Sequence, residues 1–143
     1  MHYHTIVLRI LLAVCSAAVY AEPVVVVNPK NTISALTPEQ ASNLFLKKTS
    51  EFPGGDSMTI AVPVDLPAGN VVRDEFYNKM AKKNYAQVKA YWAKLLFTGM
   101  RTPPKELFSA EDVKKFIATT SGAIGYIDKN AVDSSVKVVQ LIQ

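Results

Sequence analysis

The sequence is poor in the residues that most often carry chemistry, because its 143 residues include one cysteine and two histidines. All three, Cys15, His2 and His4, lie within the first 21 residues. Residues 22–143 therefore have no imidazole and no thiol, which excludes cysteine nucleophiles, serine–histidine triads and zinc sites with the usual ligands. The sequence predicts no disulfide, no metal site and no cofactor.

The first 21 residues have the pattern of a secretory signal peptide. A short basic region ends at Arg9, an apolar run covers residues 10–18, and Val19-Tyr20-Ala21 resembles a cleavage signal. The apolar run is well short of the ~20 residues that a membrane span needs. A lipid anchor at Cys15 is disfavoured, because the preceding Val14 is bulkier than the small residue that such a processing site prefers. We expect cleavage after Ala21 and a single domain over residues 22–143.

The remaining chain has a small excess of positive charge. Arg9 is the only charged residue in the signal segment, so Lys+Arg falls from 16 to 15 against 12 acidic residues, a net charge of +3. This excess is compatible with an anionic ligand, although a scatter of solvated lysines is the commoner explanation. Nothing in the pattern suggests nucleic acid. With 49% hydrophobic residues, the chain can build a core.

The rest of the chain can be laid out around residues 60–80. Ile60, Val62 and Val64 predict a buried strand that ends near Asp65. Pro67 and Gly69 predict a tight turn, and Asn70 is a suitable N-cap for a helix with a buried stripe at residues 72, 76 and 80. Such a turn aims backbone N–H groups and the positive end of the helix dipole at the end of the strand, where small anions can bind.

Strands and helices alternate on both sides of this segment. We predict further strands at residues 24–28, 122–127 and 136–142 and a helix beginning at Tyr85. Two more helices are predicted to be capped by Thr37, with Gln40 completing a capping box, and by Ser109. The apolar stripe of the middle helix (Tyr85, Val88, Trp92, Leu95 and Leu96) is interpreted as core, with a sugar or base platform as the less common alternative. The pattern predicts an α/β fold, a mixed sheet flanked by helices.

Four segments in this order resemble the phosphate-type periplasmic substrate-binding proteins of bacterial uptake systems. They are Asn43-Leu44-Phe45-Leu46-Lys47-Lys48, then Val62-Pro63-Val64-Asp65 with Gly69 and Arg73-Asp74-Glu75-Phe76, then Tyr91-Trp92 with Phe97-Thr98-Gly99, and lastly Gly122-Ala123-Ile124-Gly125-Tyr126. The likeness covers nearly all of residues 24–129 and is strongest to short, single-lobe members. It implies one lobe of the periplasmic-binding-protein-like type II fold and a non-enzymatic protein exported to the periplasm, linked to ABC transport.

The resemblance also implies a ligand site. The relatives bind phosphate with a Ser-Gly-Thr turn at a helix N-terminus, and the matching turn here is Ala68-Gly69-Asn70, which has backbone N–H groups and an amide in place of the hydroxyls. Asp65 matches the acidic residue near that turn, and Arg73 follows it inside the helix. We therefore expect phosphate or another small oxyanion at Asp65, Ala68, Gly69, Asn70 and Arg73.

A second function remains open from the sequence. The lobe can keep the fold and bind a protein partner, either a membrane or envelope protein or a second copy of itself. The contact would be made by the face that lines the ligand cleft in the two-lobed relatives, or by residues 101–108. An enzyme is the weakest alternative, because Glu111 and Asp112 occupy adjacent helix positions that point apart. Residues 128–133 resemble a calcium loop only loosely, since the spacing and the required glycine do not match.

Overall fold

The computed structural model describes residues 21–54 and 59–143. The predicted signal peptide lies outside the described residues, apart from Ala21. The described residues form six strands and four α-helices: β1 (Pro23–Val27), β2 (Ala35–Leu36), α1 (Pro38–Phe45), β3 (Val62–Asp65), α2 (Val71–Ala81), α3 (Tyr85–Phe97), β4 (Lys105–Glu106), α4 (Ala110–Thr119), β5 (Ala123–Asp128) and β6 (Lys137–Leu141). A 3-10 turn, Lys129–Ala131, follows β5.

The strands form one mixed sheet in the order β2-β6-β1-β5-β3-β4. β1 pairs antiparallel with both β5 and β6, whereas β3 runs parallel to β5 and β4. The outer strand β2 runs parallel to β6. This arrangement confirms the predicted α/β fold with a mixed sheet flanked by helices. Its centre is the valine-rich β1, and β3 lies next to the edge strand β4.

The predicted strand at residues 60–65 is shorter and less buried than expected. β3 begins at Val62, because its ladder with β5 starts with the pair Val62–Ala123. Ile60 was expected in the core, but it lies ahead of that ladder, is 65% exposed and forms only an isolated bridge with Glu51. Its carbonyl oxygen would lie 2.4 Å from a β-carbon at position 122, which explains the need for Gly122.

Polar residues cap every α-helix at its N-terminus. Thr37 accepts a hydrogen bond from the backbone N–H of Gln40 at 3.1 Å, and the Gln40 side chain accepts one from the N–H of Thr37 at 2.9 Å. This is the capping box that the sequence predicts. Ser109 caps α4 as predicted, and Asn84 forms a second capping box at the start of α3.

The apolar stripe of α3 is only partly core. Val88 and Trp92 are buried, but Tyr85 is 45% exposed and Leu96 is 51% exposed. The prediction was wrong for these two residues, because α3 packs against α2 and buries only one narrow face. The hydroxyl of Tyr91 helps to fix the position of α3, because it donates a hydrogen bond to the carbonyl of Leu46 at 2.7 Å.

Aromatic rings fill the centre of the core between the sheet and the helices. The rings of Phe76 on α2 and Tyr126 on β5 stack in parallel with centroids 3.9 Å apart, and Phe45 on α1 meets both rings edge-on. Aromatic contacts of this kind add about 0.5–1.5 kcal/mol to the burial of the rings themselves. Within residues 21–54 and 59–143, none of the helices is long and apolar enough to span a membrane.

Candidate functional site at the end of β3

A tight turn connects β3 to α2 in the conformation that the sequence predicts. Gly69 has a φ of +85°, in the left-handed region that favours glycine, and the N–H of Asn70 donates to the carbonyl of Pro67 at 3.1 Å. The side-chain oxygen of Asn70 then accepts hydrogen bonds from the N–H groups of Val72 at 2.9 Å and Arg73 at 3.3 Å. Asn70 is therefore the N-cap of α2, as predicted.

Several hydrogen-bond donors remain at this turn. The backbone N–H groups of Ala68, Gly69 and Val71 have no acceptor among the residues that the structure describes. Because the oxygen of Asn70 faces the helix, its amide nitrogen is a further donor. Ala68 and Gly69 are exposed, and Asn70 is half-buried. The turn therefore offers donors to solvent at the positive end of α2, where small anions are stabilised.

Asp65 lies directly beneath this turn, at the C-terminal end of β3, and is almost completely buried. Its carboxylate accepts a hydrogen bond from the hydroxyl of Tyr77 at 2.7 Å and another from the hydroxyl of Tyr126. The N–H of Leu66 donates to the same carboxylate at 3.0 Å. Three donors thus bind Asp65, as a buried carboxylate requires.

Arg73 points back from the first turn of α2 toward this carboxylate. Its guanidinium lies 3.9 Å from Asp65, donates to the carbonyl of Leu66 at 2.9 Å, and donates to Glu106 on β4 at 3.2 Å. It also lies 5.6 Å from the centre of the Tyr77 ring. Arg73 therefore binds the end of β3 to β4 and α2, and its positive charge is balanced inside the protein.

The electrostatics follow from this burial. Burial raises the pKa of Asp65, against the opposing effects of Arg73 and of the two tyrosine hydroxyls. Burial likewise raises the pKa of Tyr77 and Tyr126, and the neighbouring Asp65 carboxylate adds to both shifts. For Arg73, burial is the largest effect and acts to lower the pKa, but the charge of Asp65 together with Tyr77, Tyr126 and Glu106 outweighs burial and raises the pKa overall. The tyrosines therefore remain protonated and act as hydrogen-bond donors.

The structure brings the five predicted site residues into one region, but in two layers. Ala68, Gly69 and Asn70 form the outer layer, whereas Asp65 and Arg73 form the inner layer and bind each other. Sequence reasoning missed Tyr77, Tyr126 and Glu106, which complete the inner layer. Tyr77 was detectable as the residue one helical turn after Arg73 on the same face. Tyr126 and Glu106 require the strand order, which the sequence alone does not provide.

The acidic side chains near the turn do not form a metal centre. Asp74 is exposed in the first turn of α2, where it complements the helix dipole. In residues 21–54 and 59–143, no cluster of three or more candidate ligand side chains could hold a metal ion. The chemistry that the region offers is hydrogen bonding from fixed donors.

The fold is that of phosphate-binding transport receptors. The chain is similar to an ABC-type phosphate transport receptor from Vibrio cholerae, with a TM-score of 0.68 and 21% identity over 85% of this chain and 46% of that one. It is similar to the same extent to a structure from Clostridium perfringens, described as a phosphate ABC transporter substrate-binding protein with bound phosphate, covering 85% of this chain and 45% of that one.

A third similar structure is PstS from Borrelia burgdorferi, with a TM-score of 0.58 and 14% identity over 85% of this chain and 47% of that one. The chain thus spans less than half the length of these receptors, in agreement with the predicted single lobe. No protein-family model and no curated protein sequence matches the chain. By their descriptions, these solved structures are phosphate transport and binding proteins.

Proposed function

We propose that the protein is a non-enzymatic, exported binding protein of the periplasm, and that it binds a small oxyanion, with phosphate as the leading ligand. The observation that carries the proposal is the set of donors at Ala68, Gly69, Asn70 and Val71, placed at the N-terminus of α2 in a fold shared with phosphate receptors. Backbone donors at a helix N-terminus suit an oxyanion.

The proposal gives the predicted residues different roles. The backbone at Ala68 and Gly69 and the amide of Asn70 contact the anion. Asp65 and Arg73 act as positioning residues, because their polar atoms are bonded to each other, to Leu66 and to the tyrosines. Arg73 holds the carbonyl of Leu66 and so fixes the entry to the turn.

A site of this kind binds weakly compared with a closed one. The donors face solvent from a single turn, so the bound anion keeps part of its hydration, and each hydrogen bond is weaker than in a dry site. We expect phosphate to bind in the millimolar or high micromolar range, which corresponds to about 4–6 kcal/mol. At such an affinity only a small fraction of the protein holds phosphate when phosphate is scarce, and a transport partner would have to accept phosphate from that fraction.

Replacing Asn70 by aspartate tests the site while keeping the helix cap. Aspartate caps a helix about as well as asparagine, but it loses the amide donor and adds a negative charge beside the anion. At ~100 times its dissociation constant, phosphate should stabilise the wild-type protein by about 2.7 kcal/mol, which moves the thermal midpoint by several degrees. The Asn70→Asp variant should lose this shift.

Asn84→Asp is the matched control, because Asn84 caps α3 in the same way and is exposed. It should keep the phosphate shift at the same ionic strength, and sulfate should give a different shift from phosphate. If both variants keep the shift, or both lose it, the turn at Gly69 is not the site. If no anion shifts the wild-type midpoint, the isolated lobe does not bind anions.

A second candidate function is association with another copy of the chain. Three large apolar side chains at the end of α3 are exposed, Leu96 at 51%, Phe97 at 94% and Met100 at 67%, and Phe108 ahead of α4 is exposed at 88%. Exposed apolar groups that lie together are typical of protein contacts. Since the solved relatives contain about twice this length of chain, a second copy would restore that length.

Size-exclusion chromatography with light scattering, which measures the molar mass of the protein as it elutes, tests this association. A dimer in the wild type that Phe97→Ser with Met100→Ser converts to a monomer supports the second candidate. Val138→Ser, which changes an apolar side chain exposed at 43% on β6, is the control and should leave the mass unchanged. A monomeric wild type at all concentrations would rule out self-association.

A further inference from the structure

A cleft at the opposite end of α2 from the turn is lined by several basic side chains. It lies between α1 and the C-terminal end of α2 and has a volume of about 470 Å³. We call it the lysine cleft and define it by five donors, Ser42, Asn43, Lys48, Lys79 and Lys82. The volume is within the range of small-molecule sites, about 300–1,000 Å³.

The three lysines of the lysine cleft are not neutralised within the protein. Lys48, Lys79 and Lys82 are exposed, and none of them forms an ion pair with any residue that the structure describes. Among the described residues that line the cleft, Glu39 is the one acidic side chain. Lysines near helix C-termini commonly complement the helix dipole. That effect accounts for each lysine separately, but not for their convergence from α1 and α2 on one concave surface.

Ser42 adds a neutral donor at the bottom of the cleft. Ser42 is 9% exposed, and its hydroxyl has no hydrogen bond to any residue in the described part of the chain. The hydroxyls of Thr98 and Thr119, also at helical or helix-end positions, bond to carbonyls of the preceding turn instead. Asn43 contributes a half-buried amide beside it.

We propose that the lysine cleft binds a phosphate-bearing ligand larger than inorganic phosphate, at a site separate from the turn at Gly69. Three mobile ammonium groups around a hydroxyl and an amide suit several phosphate oxygens, since lysine acts as a point charge toward phosphate. The phosphate groups can belong to a soluble oligophosphate or phosphoester, or to the headgroups of a lipid surface. The shared chemistry is recognition of clustered phosphate charge.

The test compares two double variants with equal changes in charge. Lys48→Gln with Lys79→Gln removes two charges from the cleft, and Lys89→Gln with Lys94→Gln removes two exposed charges from α3. Tripolyphosphate is titrated into each protein by calorimetry, and vesicles containing phosphatidylglycerol are used in a separate cosedimentation arm, with phosphatidylcholine vesicles as the neutral control. Circular dichroism checks that each variant is folded. Because Gln143 lines the cleft, any affinity tag is placed at the other end of the chain and removed.

The cleft variant should bind at least one of the two probes about tenfold more weakly, the effect expected for loss of one charge-assisted hydrogen bond. The α3 variant should lose less than about twofold, as expected for screened surface charge. An effect on tripolyphosphate alone identifies a soluble ligand, and an effect on vesicles alone identifies a lipid surface.

Three results would overturn the proposal. The first is equal weakening by both double variants, which indicates general surface charge. The second is binding of neither probe by the wild type. The third is loss of tripolyphosphate binding in Asn70→Asp, which would place that ligand at the turn. Because the turn and the cleft are tested by different variants, failure at one site is distinguishable from failure at the other.

Discussion

The two ends of α2 carry charged side chains and use them in opposite ways. At the N-terminal end, Arg73 is buried and bonded to Asp65, Leu66 and Glu106. At the C-terminal end, Lys79 and Lys82 are exposed and form no ion pair with the residues described by the structure. The comparison separates charges that hold the fold together from charges that remain available to a ligand. Position next to a turn does not by itself make a charged residue part of a binding site.

Removing Arg73 should have the largest effect on stability. Arg73→Ala leaves Asp65 buried without a cation, and loss of one partner from a buried pair typically lowers the free energy of unfolding by about 3–5 kcal/mol. Urea unfolding followed by circular dichroism measures the loss. Lys79→Ala at the other end of the same helix is the control and should change stability by less than about 0.5 kcal/mol. Similar effects of the two substitutions would contradict the contrast between the two ends.

Removing the hydroxyl of Tyr126 should have a smaller effect. Tyr126→Phe keeps the ring stacked on Phe76 but leaves Asp65 and the N–H of Leu66 each short of one partner. We expect a loss of about 2 kcal/mol, since a hydrogen bond to a charged group contributes about 1.5–3 kcal/mol. Tyr85→Phe, at an exposed position, should be neutral in the same urea titration. A neutral Tyr126→Phe would mean that the hydroxyl does not support the carboxylate.

Removing the cap of α2 should have an effect of about 1 kcal/mol. Asn70→Ala exposes the N–H groups of Val72 and Arg73, whereas Asn70→Asp keeps their acceptor. Thermal unfolding without any anion should therefore rank the alanine variant below both the aspartate variant and the wild type. If aspartate destabilises as much as alanine, the loss of phosphate binding expected for Asn70→Asp could not be separated from loss of the helix.

The smallest effect is a difference in pH dependence between two carboxylates. Burial raises the folded-state pKa of Asp65, so its contribution to stability is present below the unfolded value of 3.8 and is lost as the pH rises through the folded value. A hydrogen bond from Lys114 lowers the pKa of Asp133, so its contribution is present above 3.8 and is lost as the pH falls. Asp65→Asn and Asp133→Asn should therefore change the slope of unfolding free energy against pH in opposite directions.

Urea unfolding of both variants and the wild type, between about pH 3 and pH 7, measures these slopes. The relevant neighbours of Asp65 are Arg73, Tyr77 and Tyr126, and none of them changes its charge in this range. Changes of slope in the same direction for both variants would show that burial does not dominate the titration of Asp65.

Local features of the fold were predictable from the sequence because they depend on neighbouring residues. Thr37, Asn70 and Ser109 cap helices where expected, and Gly69 adopts the expected positive φ. The exposure of Ile60 and Tyr85 was not predictable, because it depends on where the β5 ladder begins and on how α3 lies against α2. Periodicity gives the apolar face of an element but not the neighbour that covers it.

The candidate site was predictable in composition but not in layering. Asp65 and Arg73 are eight positions apart and lie on either side of the turn in the sequence. This placement favoured a direct role in anion binding for both. Their burial depends on Tyr126 and Glu106, which reach the end of β3 only through the strand order β5-β3-β4. The lysine cleft was missed for the same reason, because its lysines come from the ends of two helices that are neighbours only in the folded protein.

The pairing of β1 has a consequence for how the chain folds. β1 pairs with β5 and β6, so among the described residues the strand partners of residues 23–27 all lie within residues 124–139. The centre of the sheet cannot form until residues 124–139 are available, and such long-range pairing makes folding slow. A nascent chain therefore has no strand partners for β1 until residues 124–139 have been synthesised.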